Sequence, residues 1–91
     1  MSRGRVAHVL MYCTAACPYC QSAERLLAAK GVTDIERVRV DLEPQQRAEM
    51  TQRSGRRTVP QIWIGARHIG GCDELHALER AGRLDRLLAP N

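Results

Sequence analysis

The most restrictive feature of this sequence is an apolar run at 6–12, VAHVLMY, that is followed after a short gap by a helical pattern beginning at Pro18. An unbroken apolar run of this length is typical of a strand that is buried on both faces. The helical pattern is predicted to end at Gly31, which acts as its C-cap. A second strand with alternating apolar and charged residues is predicted at 35–40. Together these elements predict a right-handed β-α-β unit with parallel strands.

The rest of the chain predicts further helices and strands of similar length. They are a polar helix at 44–53 followed by Gly55, strands at 61–64 and 67–69, a helix capped by Asp73 and ended by Gly82, and a short helix containing Leu84, Leu87 and Leu88. The resulting order β-α-β-α-β-β-α fits the thioredoxin fold. This is an α/β fold in which helices flank a four-stranded mixed β-sheet.

The length and composition favour a small globular domain. Ninety-one residues allow one domain with a modest core, so 1–91 is predicted to be a single domain with a loose end at 1–4. Apolar residues make up 44% of the chain and both charge signs are mixed, which argues against intrinsic disorder. No run is long enough to cross a membrane, and the N-terminus lacks the apolar segment of a secretory signal. The expected location is therefore the cytoplasm, and the four unevenly spaced cysteines do not resemble a secreted disulfide scaffold.

The net charge of +4 is expected to lie mainly on a solvated surface. The chain has two Tyr, one Trp and no Phe, so it lacks the aromatic platforms on which single-stranded nucleic acid stacks. Nucleic acid is therefore not expected as a partner. Three arginines, Arg53, Arg56 and Arg57, cluster before Thr58 and could hold the carboxylates of a small acidic ligand.

Cys17-Pro18-Tyr19-Cys20, the CPYC motif, connects the first predicted strand to the first helix. The first N–H groups of a helix have no partner inside the helix, and together with the helix dipole they favour a negative charge. A thiol at this position loses its proton more readily, and the thiolate is the reactive species. Cys17 is therefore predicted to be the exposed reactive thiol, with the N–H groups of Tyr19 and Cys20 aimed at its sulfur. Cys20 is predicted to be shielded one turn into the helix.

The two remaining cysteines, Cys13 and Cys72, are predicted to be buried and unreactive, and a regulatory disulfide of Cys13 stays open as an alternative. Cys17, Cys20, Cys72 and His76 also form a zinc-like set of ligands. The two halves of that set lie far apart in the sequence, and the core is large enough without a metal. No metal site is therefore predicted.

Three segments carry a resemblance to a known family. They are the CPYC motif after a strand, Thr58-Val59-Pro60 (the TVP segment) before a strand, and Gly70-Gly71-Cys72-Asp73 (the GGCD segment) before a helix. With the order of the elements, they make most of the chain similar to the dithiol glutaredoxins of bacteria. The Pro-Tyr pair between the cysteines differs from the Gly-Pro pair that is usual in thioredoxins. Relatives often carry a lysine where Thr14 stands, so a positive charge beside the thiolate would have to come from the helix terminus or from arginines.

The resemblance implies a glutathione-dependent thiol–disulfide oxidoreductase that works as a monomer in electron transport and redox homeostasis. Its substrates would be protein–glutathione mixed disulfides and protein disulfides, with ribonucleotide reductase among the candidate partners and no membrane or nucleic acid involved. Cys17 would be the nucleophile, Cys20 the resolving thiol and glutathione the reducing co-substrate. The residues that the resemblance places at the glutathione groove are Tyr19, Arg57, Thr58, Val59, Pro60, Gly71, Cys72 and Asp73.

The resemblance also implies individual roles in that groove. The proline of the TVP segment is usually cis in this fold, which would turn the Val59 N–H and C=O toward the extended backbone of glutathione. Free N–H groups at Cys72 and Asp73 would suit the γ-glutamyl carboxylate, and the Asp73 side chain would suit the α-ammonium group. Either Arg57 or Arg53 could hold the glycine carboxylate.

A thiolate that is stabilised by the helix is also a better leaving group, which favours a monothiol route. In that route a second glutathione attacks the disulfide between Cys17 and glutathione, and Cys20 is required for protein disulfides alone.

Two rival functions stay open. One is an iron–sulfur cluster bridged between two subunits by Cys17 and glutathione, and the other is a thioredoxin-like electron donor that is served by a flavoprotein reductase.

Overall fold

The computed structural model describes residues 7–89, which contain four strands and four helices. The strands are β1 (Val9–Cys13), β2 (Ile35–Arg39), β3 (Gln61–Ile64) and β4 (Arg67–Gly70). The helices are α1 (Pro18–Ala29), α2 (Pro44–Ser54), α3 (Cys72–Arg80) and α4 (Leu84–Leu88). The predicted thioredoxin fold is confirmed by this element order and by the sheet that the strands form.

The four strands form one mixed sheet in the order β2-β1-β3-β4. β1 pairs with β2 in parallel, whereas β1–β3 and β3–β4 are antiparallel. The register places Tyr12 near the end of β1 opposite Gln61 at the start of β3, and Ile62 opposite Gly70 at the end of β4. The segments that follow β1, precede β3 and follow β4 therefore meet at one end of the sheet. These are the segments that contain the CPYC motif, the TVP segment and the GGCD segment.

Side chains along β1 and β3 point alternately to the two faces of the sheet. Helices pack on both faces, and each face carries its own buried cluster. On one face, Met11 and Ile62 belong to a buried cluster that includes Leu27 of α1, Leu75 of α3 and Leu84 of α4. Each of these leucines is fully buried, and such a side chain stabilises the fold by about 1.5–3 kcal/mol.

The opposite face of the sheet carries a smaller cluster beneath α2. Tyr12 and Trp63 pack there with Val40 and with Met50 of α2. The Tyr12 and Trp63 rings meet edge to face, with 5.4 Å between their centroids. The single helix α2 therefore closes this face, and α1, α3 and α4 close the other.

The structure corrects two of the predicted helix ends. α1 stops at Ala29 with Lys30 as its C-cap, so Gly31, predicted as the cap, is the following residue and has a φ of +90°. α3 begins at Cys72 with Gly71 as its N-cap, so the prediction that Asp73 caps this helix is wrong. The reason is that the Glu74 carboxylate accepts a hydrogen bond from the Gly71 N–H at 2.8 Å, which fixes the start of α3 two residues earlier.

The predicted loose end at 1–4 and the predicted start of the first strand at 6 lie outside the described residues. Within 7–89, β1 begins at Val9, which is later than the apolar run suggested. None of the helices in this range is both long enough and apolar enough to cross a membrane.

Candidate active site

The CPYC motif turns the chain from β1 into α1, and Cys17 is the N-cap of that helix. Its backbone is extended, with φ −130° and ψ 100°, and its Sγ accepts a hydrogen bond from the Cys20 N–H at 3.1 Å. Pro18 follows as the first helical residue, where its missing N–H would have had no helical partner. The Cys17 sulfur therefore occupies the place of a capping oxygen, in line with the helix dipole.

The structure modifies two details of the predicted Cys17 environment. Cys17 was expected to be exposed, but it is only 7% exposed and Cys20 is 3% exposed, so both thiols lie within the protein surface. Among the described residues, the Cys20 N–H is the backbone donor to the Cys17 sulfur, and no hydrogen bond from the Tyr19 N–H joins it. The difference arises because β1 and α1 pack closely around the turn and belong to the same buried cluster.

Cys20 is the more protected of the two thiols. Burial, followed by a hydrogen bond to Cys17, raises the pKa of the Cys20 thiol to about 12. Cys20 therefore keeps its proton at neutral pH, and it cannot be the first nucleophile. Its place one helical turn after Cys17 leaves it suited to act second, once Cys17 has formed a disulfide.

The raised pKa predicts how Cys20 reacts with an alkylating reagent. In a Cys17→Ser variant, the rate of Cys20 alkylation by iodoacetamide is expected to keep rising with pH beyond pH 9, because burial, the largest cause of the raised pKa, is not changed by the substitution. Mass spectrometry of the Cys20 peptide measures this rate. The same variant unfolded in urea serves as the control, and its rate should level off near pH 9. A folded-state rate that levels off at the same pH would contradict the prediction.

The same shift has a consequence for stability. A thiol with a higher pKa in the folded protein than in the unfolded chain binds its proton more tightly when folded. Its contribution is therefore fully present below the ordinary thiol pKa and is lost as the pH rises toward about 12.

An acidic side chain from the turn after β2 holds the loop before Cys17. The Asp41 carboxylate accepts a hydrogen bond from the Ala15 N–H at 3.3 Å and two from the Arg39 guanidinium, each at 2.7 Å. The bonds from Arg39 are the main cause that lowers the pKa of Asp41 to about 2. Asp41 therefore stays ionised at neutral pH and anchors the loop that carries Thr14 and Ala15.

A cavity of about 210 Å³ opens at the end of the sheet where the three motif segments meet. It combines one residue of the CPYC motif, all of the TVP segment and most of the GGCD segment. Its lining residues are Tyr19, Arg56, Thr58, Val59, Pro60, Gly71, Cys72, Asp73 and Glu74. Seven of the eight residues predicted for the groove are thus brought together, and the eighth, Arg57, is not. The Val59–Pro60 peptide bond is cis, as predicted from the resemblance.

Cys17 lies beside this cavity but does not line it. It belongs to the buried cluster that also contains Cys72, and Val59 packs against that cluster. Tyr19, two residues along the motif, is 64% exposed and forms one wall of the cavity. A disulfide sulfur that approaches Cys17 therefore has a neighbouring open groove for the rest of the ligand.

Glu74 is a site residue that the sequence interpretation missed. Its Oε1 accepts the hydrogen bond from Gly71, and its Oε2 pairs with Arg56 Nη1 at 3.2 Å. A Cβ on Gly71 would lie 3.2 Å from the Pro60 carbonyl oxygen, so the two walls of the groove approach closely here. A glutamate three residues after a helix N-cap is a known capping pattern, and that signal could have identified Glu74 from sequence.

The three clustered arginines separate in the structure. Arg56 lines the groove, while Arg57 lines a different cavity on α2. Arg53 is turned toward the core face, where it donates to the Tyr12 hydroxyl at 3.0 Å and lies 4.4 Å from the Trp63 ring centroid. Of the three, Arg56 is therefore the one placed to meet a carboxylate in the groove.

The remaining cysteines and histidines do not assemble into a metal-binding group. All four cysteines are free thiols, and Cys13 and Cys72 are buried. The His76 ring faces Ser22, with 3.2 Å between Nε2 and Oγ. Across residues 7–89, no group of three or more His, Cys, Asp or Glu side chains could hold a metal ion.

Comparison with known proteins places this geometry in context. A family model described as Glutaredoxin matches residues 9–69. A glutaredoxin of Pseudomonas aeruginosa is 57% identical over 81 residues, which cover 89% of this chain and 95% of that protein. Glutaredoxin 3 of Escherichia coli K12 is 51% identical over 83 residues, which cover 91% of this chain and 99% of that protein. The crystal structure of a buckwheat glutaredoxin–glutathione complex matches with a TM-score of 0.82 at 30% identity, covering 90% of this chain and 76% of that one.

Proposed function

This chain belongs to the glutaredoxin family, and we propose that it is a glutathione-dependent oxidoreductase that reduces protein–glutathione mixed disulfides and protein disulfides. The observation that carries the proposal is the position of Cys17 as the N-cap of α1, with its sulfur 3.1 Å from the Cys20 nitrogen. This geometry supports a stabilised anion on Cys17, and the raised pKa of Cys20 supports a protonated second thiol.

The proposed glutathione site is the groove beside Cys17. In this site the Val59 backbone pairs with the extended peptide of glutathione, as an added strand would. The N–H groups of Cys72 and Asp73 lie in the first turn of α3, where a helix has no internal acceptors for them, and they would receive the γ-glutamyl carboxylate. Asp73 would bind the α-ammonium group. For the glycine carboxylate, we propose Arg56 instead of Arg57, because Arg56 lines the groove.

The proposed reduction of a mixed disulfide has two exchange steps. The Cys17 thiolate attacks the glutathione sulfur, a Cys17–glutathione disulfide forms, and the protein thiolate leaves and takes a proton from water. A second glutathione thiolate then attacks the glutathione sulfur of this adduct, which releases oxidised glutathione and restores the Cys17 thiolate. The mixed disulfide gains two electrons, which come from the two glutathione thiols that end as one oxidised glutathione. One of these glutathiones attacks from solution and the other comes from the mixed disulfide itself.

For a protein disulfide, the proposed route uses both cysteines. Cys17 attacks one sulfur of the substrate and forms a mixed disulfide with it. Cys20 then loses its proton and attacks the Cys17 sulfur, which releases the reduced substrate and leaves a Cys17–Cys20 disulfide. Two glutathione molecules reduce that disulfide and leave as oxidised glutathione. This chemistry draws on reduced glutathione, and we propose that the protein works in a reducing compartment, the cytoplasm.

A reductant comparison tests the proposed function. The oxidised protein is offered glutathione with NADPH and glutathione reductase, or NADPH and thioredoxin reductase, and its return to the dithiol state is followed by thiol labelling. We expect the glutathione system to restore the dithiol and the flavoprotein alone to leave it oxidised. The opposite result would support a thioredoxin-like electron donor and would overturn the proposed function.

A further inference from the structure

Gln61 is a fully buried polar side chain directly after the TVP segment. It is 0% exposed, and its amide nitrogen donates to the Thr58 carbonyl oxygen at 3.0 Å and to Thr58 Oγ1 at 3.3 Å. Because a carbonyl oxygen can only accept, the amide group must present its NH₂ to Thr58. The Gln61 side chain therefore ties the start of β3 to the wall of the groove.

The other end of the Gln61 amide reaches the neighbouring strand. Gln61 Oε1 lies 2.8 Å from His68 Nε2 on β4. The His68 ring is half-buried and packs on Trp63, with 4.6 Å between the ring centroids. Burial lowers the pKa of His68, and the positive charges of Arg56 and Arg53 add to this effect while Glu74 opposes it. A neutral ring carries one N–H, and Gln61 Oε1 can only accept, so that N–H must be on Nε2.

We propose that His68 is a positioning residue for the glutathione groove, acting through Gln61 on Thr58. The His68 N–H holds Gln61 Oε1, and this orientation directs the Gln61 NH₂ to the backbone and side chain of Thr58. Without that donor, the buried Oε1 has no partner and the amide is free to turn away from Thr58. The TVP segment then loses the contact that fixes it beside the ligand. This inference rests on the proposed function for the identity of the ligand, but the hydrogen-bond relay itself does not depend on it.

Two substitutions at His68 separate its hydrogen bond from its packing. His68→Phe keeps an aromatic ring against Trp63 and removes the donor, whereas His68→Gln removes the ring and places an amide N–H near the position of Nε2. We expect His68→Phe to raise the KM for a glutathionylated peptide about five- to ten-fold and to leave kcat little changed. A change of this size is what the loss of about one hydrogen bond produces. His68→Gln is expected to stay within about two-fold of the native KM. A purely structural role of the ring predicts the reverse order for the two variants, and that order would overturn the inference.

Nuclear magnetic resonance without any ligand provides a second readout. In the native protein, we expect the Nε2–H tautomer of His68 and slow solvent exchange of the Gln61 side-chain NH₂ protons. His68→Phe should speed that exchange, and His68→Gln should keep it slow. An Nδ1–H tautomer in the native protein would overturn the inference even if His68→Phe did not fold. If the native protein lacked glutathione-dependent activity but showed this relay, the proposed function would fail and the relay would stand.

Discussion

Cys17→Ser is expected to abolish the reduction of both mixed disulfides and protein disulfides, with residual activity at least about 1,000-fold below the native protein. A serine oxygen cannot form the disulfide on which both routes depend. Cys20 cannot take over, because burial, the largest cause of its raised pKa, remains when Cys17 is replaced and keeps the Cys20 thiol protonated. It also lies deeper in the surface, at 3% exposure.

The measurement is the turnover of a glutathionylated peptide with glutathione, NADPH and glutathione reductase. Cys13→Ala is the matched control, because Cys13 is also a buried free thiol but lies on β1 and does not line the groove. This control should keep nearly native turnover. If Cys17→Ser kept more than about a tenth of the native rate, another thiol would have to be the nucleophile and the assignment of Cys17 would be wrong.

Cys20→Ser is expected to separate the two reactions. Reduction of a glutathionylated peptide should stay within about three-fold of native, because a second glutathione and not Cys20 attacks the Cys17–glutathione disulfide. Reduction of a protein disulfide should fall by about 100-fold or more, because the mixed disulfide with the substrate then has no internal thiol to resolve it. The physical basis is the position of Cys20 one turn after Cys17 in α1, with its N–H already bonded to the Cys17 sulfur.

Both substrates are measured with the same enzyme preparation, so that loss of folded protein would lower both rates equally. Thermal unfolding of the variant gives an independent check of its stability. A Cys20→Ser variant that lost both activities while Cys17 could still be alkylated would rule out the monothiol route. A variant that kept both activities would show that Cys20 is not the resolving thiol.

The order of helices and strands was predictable because local patterns specify it. The alternation at 35–40, the apolar run before the CPYC motif and the glycines at helix ends each reflect the geometry of a single element. The start of α3 was not predictable in the same way. Asp73 and Gly71 both suit a helix N-terminus, and the choice between them depended on the Glu74 carboxylate reaching the Gly71 N–H.

The site shows a similar division. Residues of the motif segments expected at the groove, such as Val59 and Cys72, line one cavity in the structure, and their contact with glutathione stays a prediction. Arg57, which was also expected there, does not line that cavity, because a long flexible side chain takes its direction from its neighbours. Arg53 is drawn to the Tyr12 and Trp63 rings, and Arg56 is drawn to Glu74.

The sequence alone determined the fold class and singled out Cys17 and Cys20 as the candidate reactive pair, since hydrophobic periodicity and the spacing within one helical turn are local properties. Only the tertiary structure decided how far Cys17 is buried, which arginine faces the groove, and that Gln61 links His68 to Thr58. The burial of Cys17 and the direction of Arg56 depend on side chains packed from distant segments. The Gln61–His68 contact lies within the β3–β4 hairpin, but it depends on a strand register that the hydrophobic pattern alone does not specify.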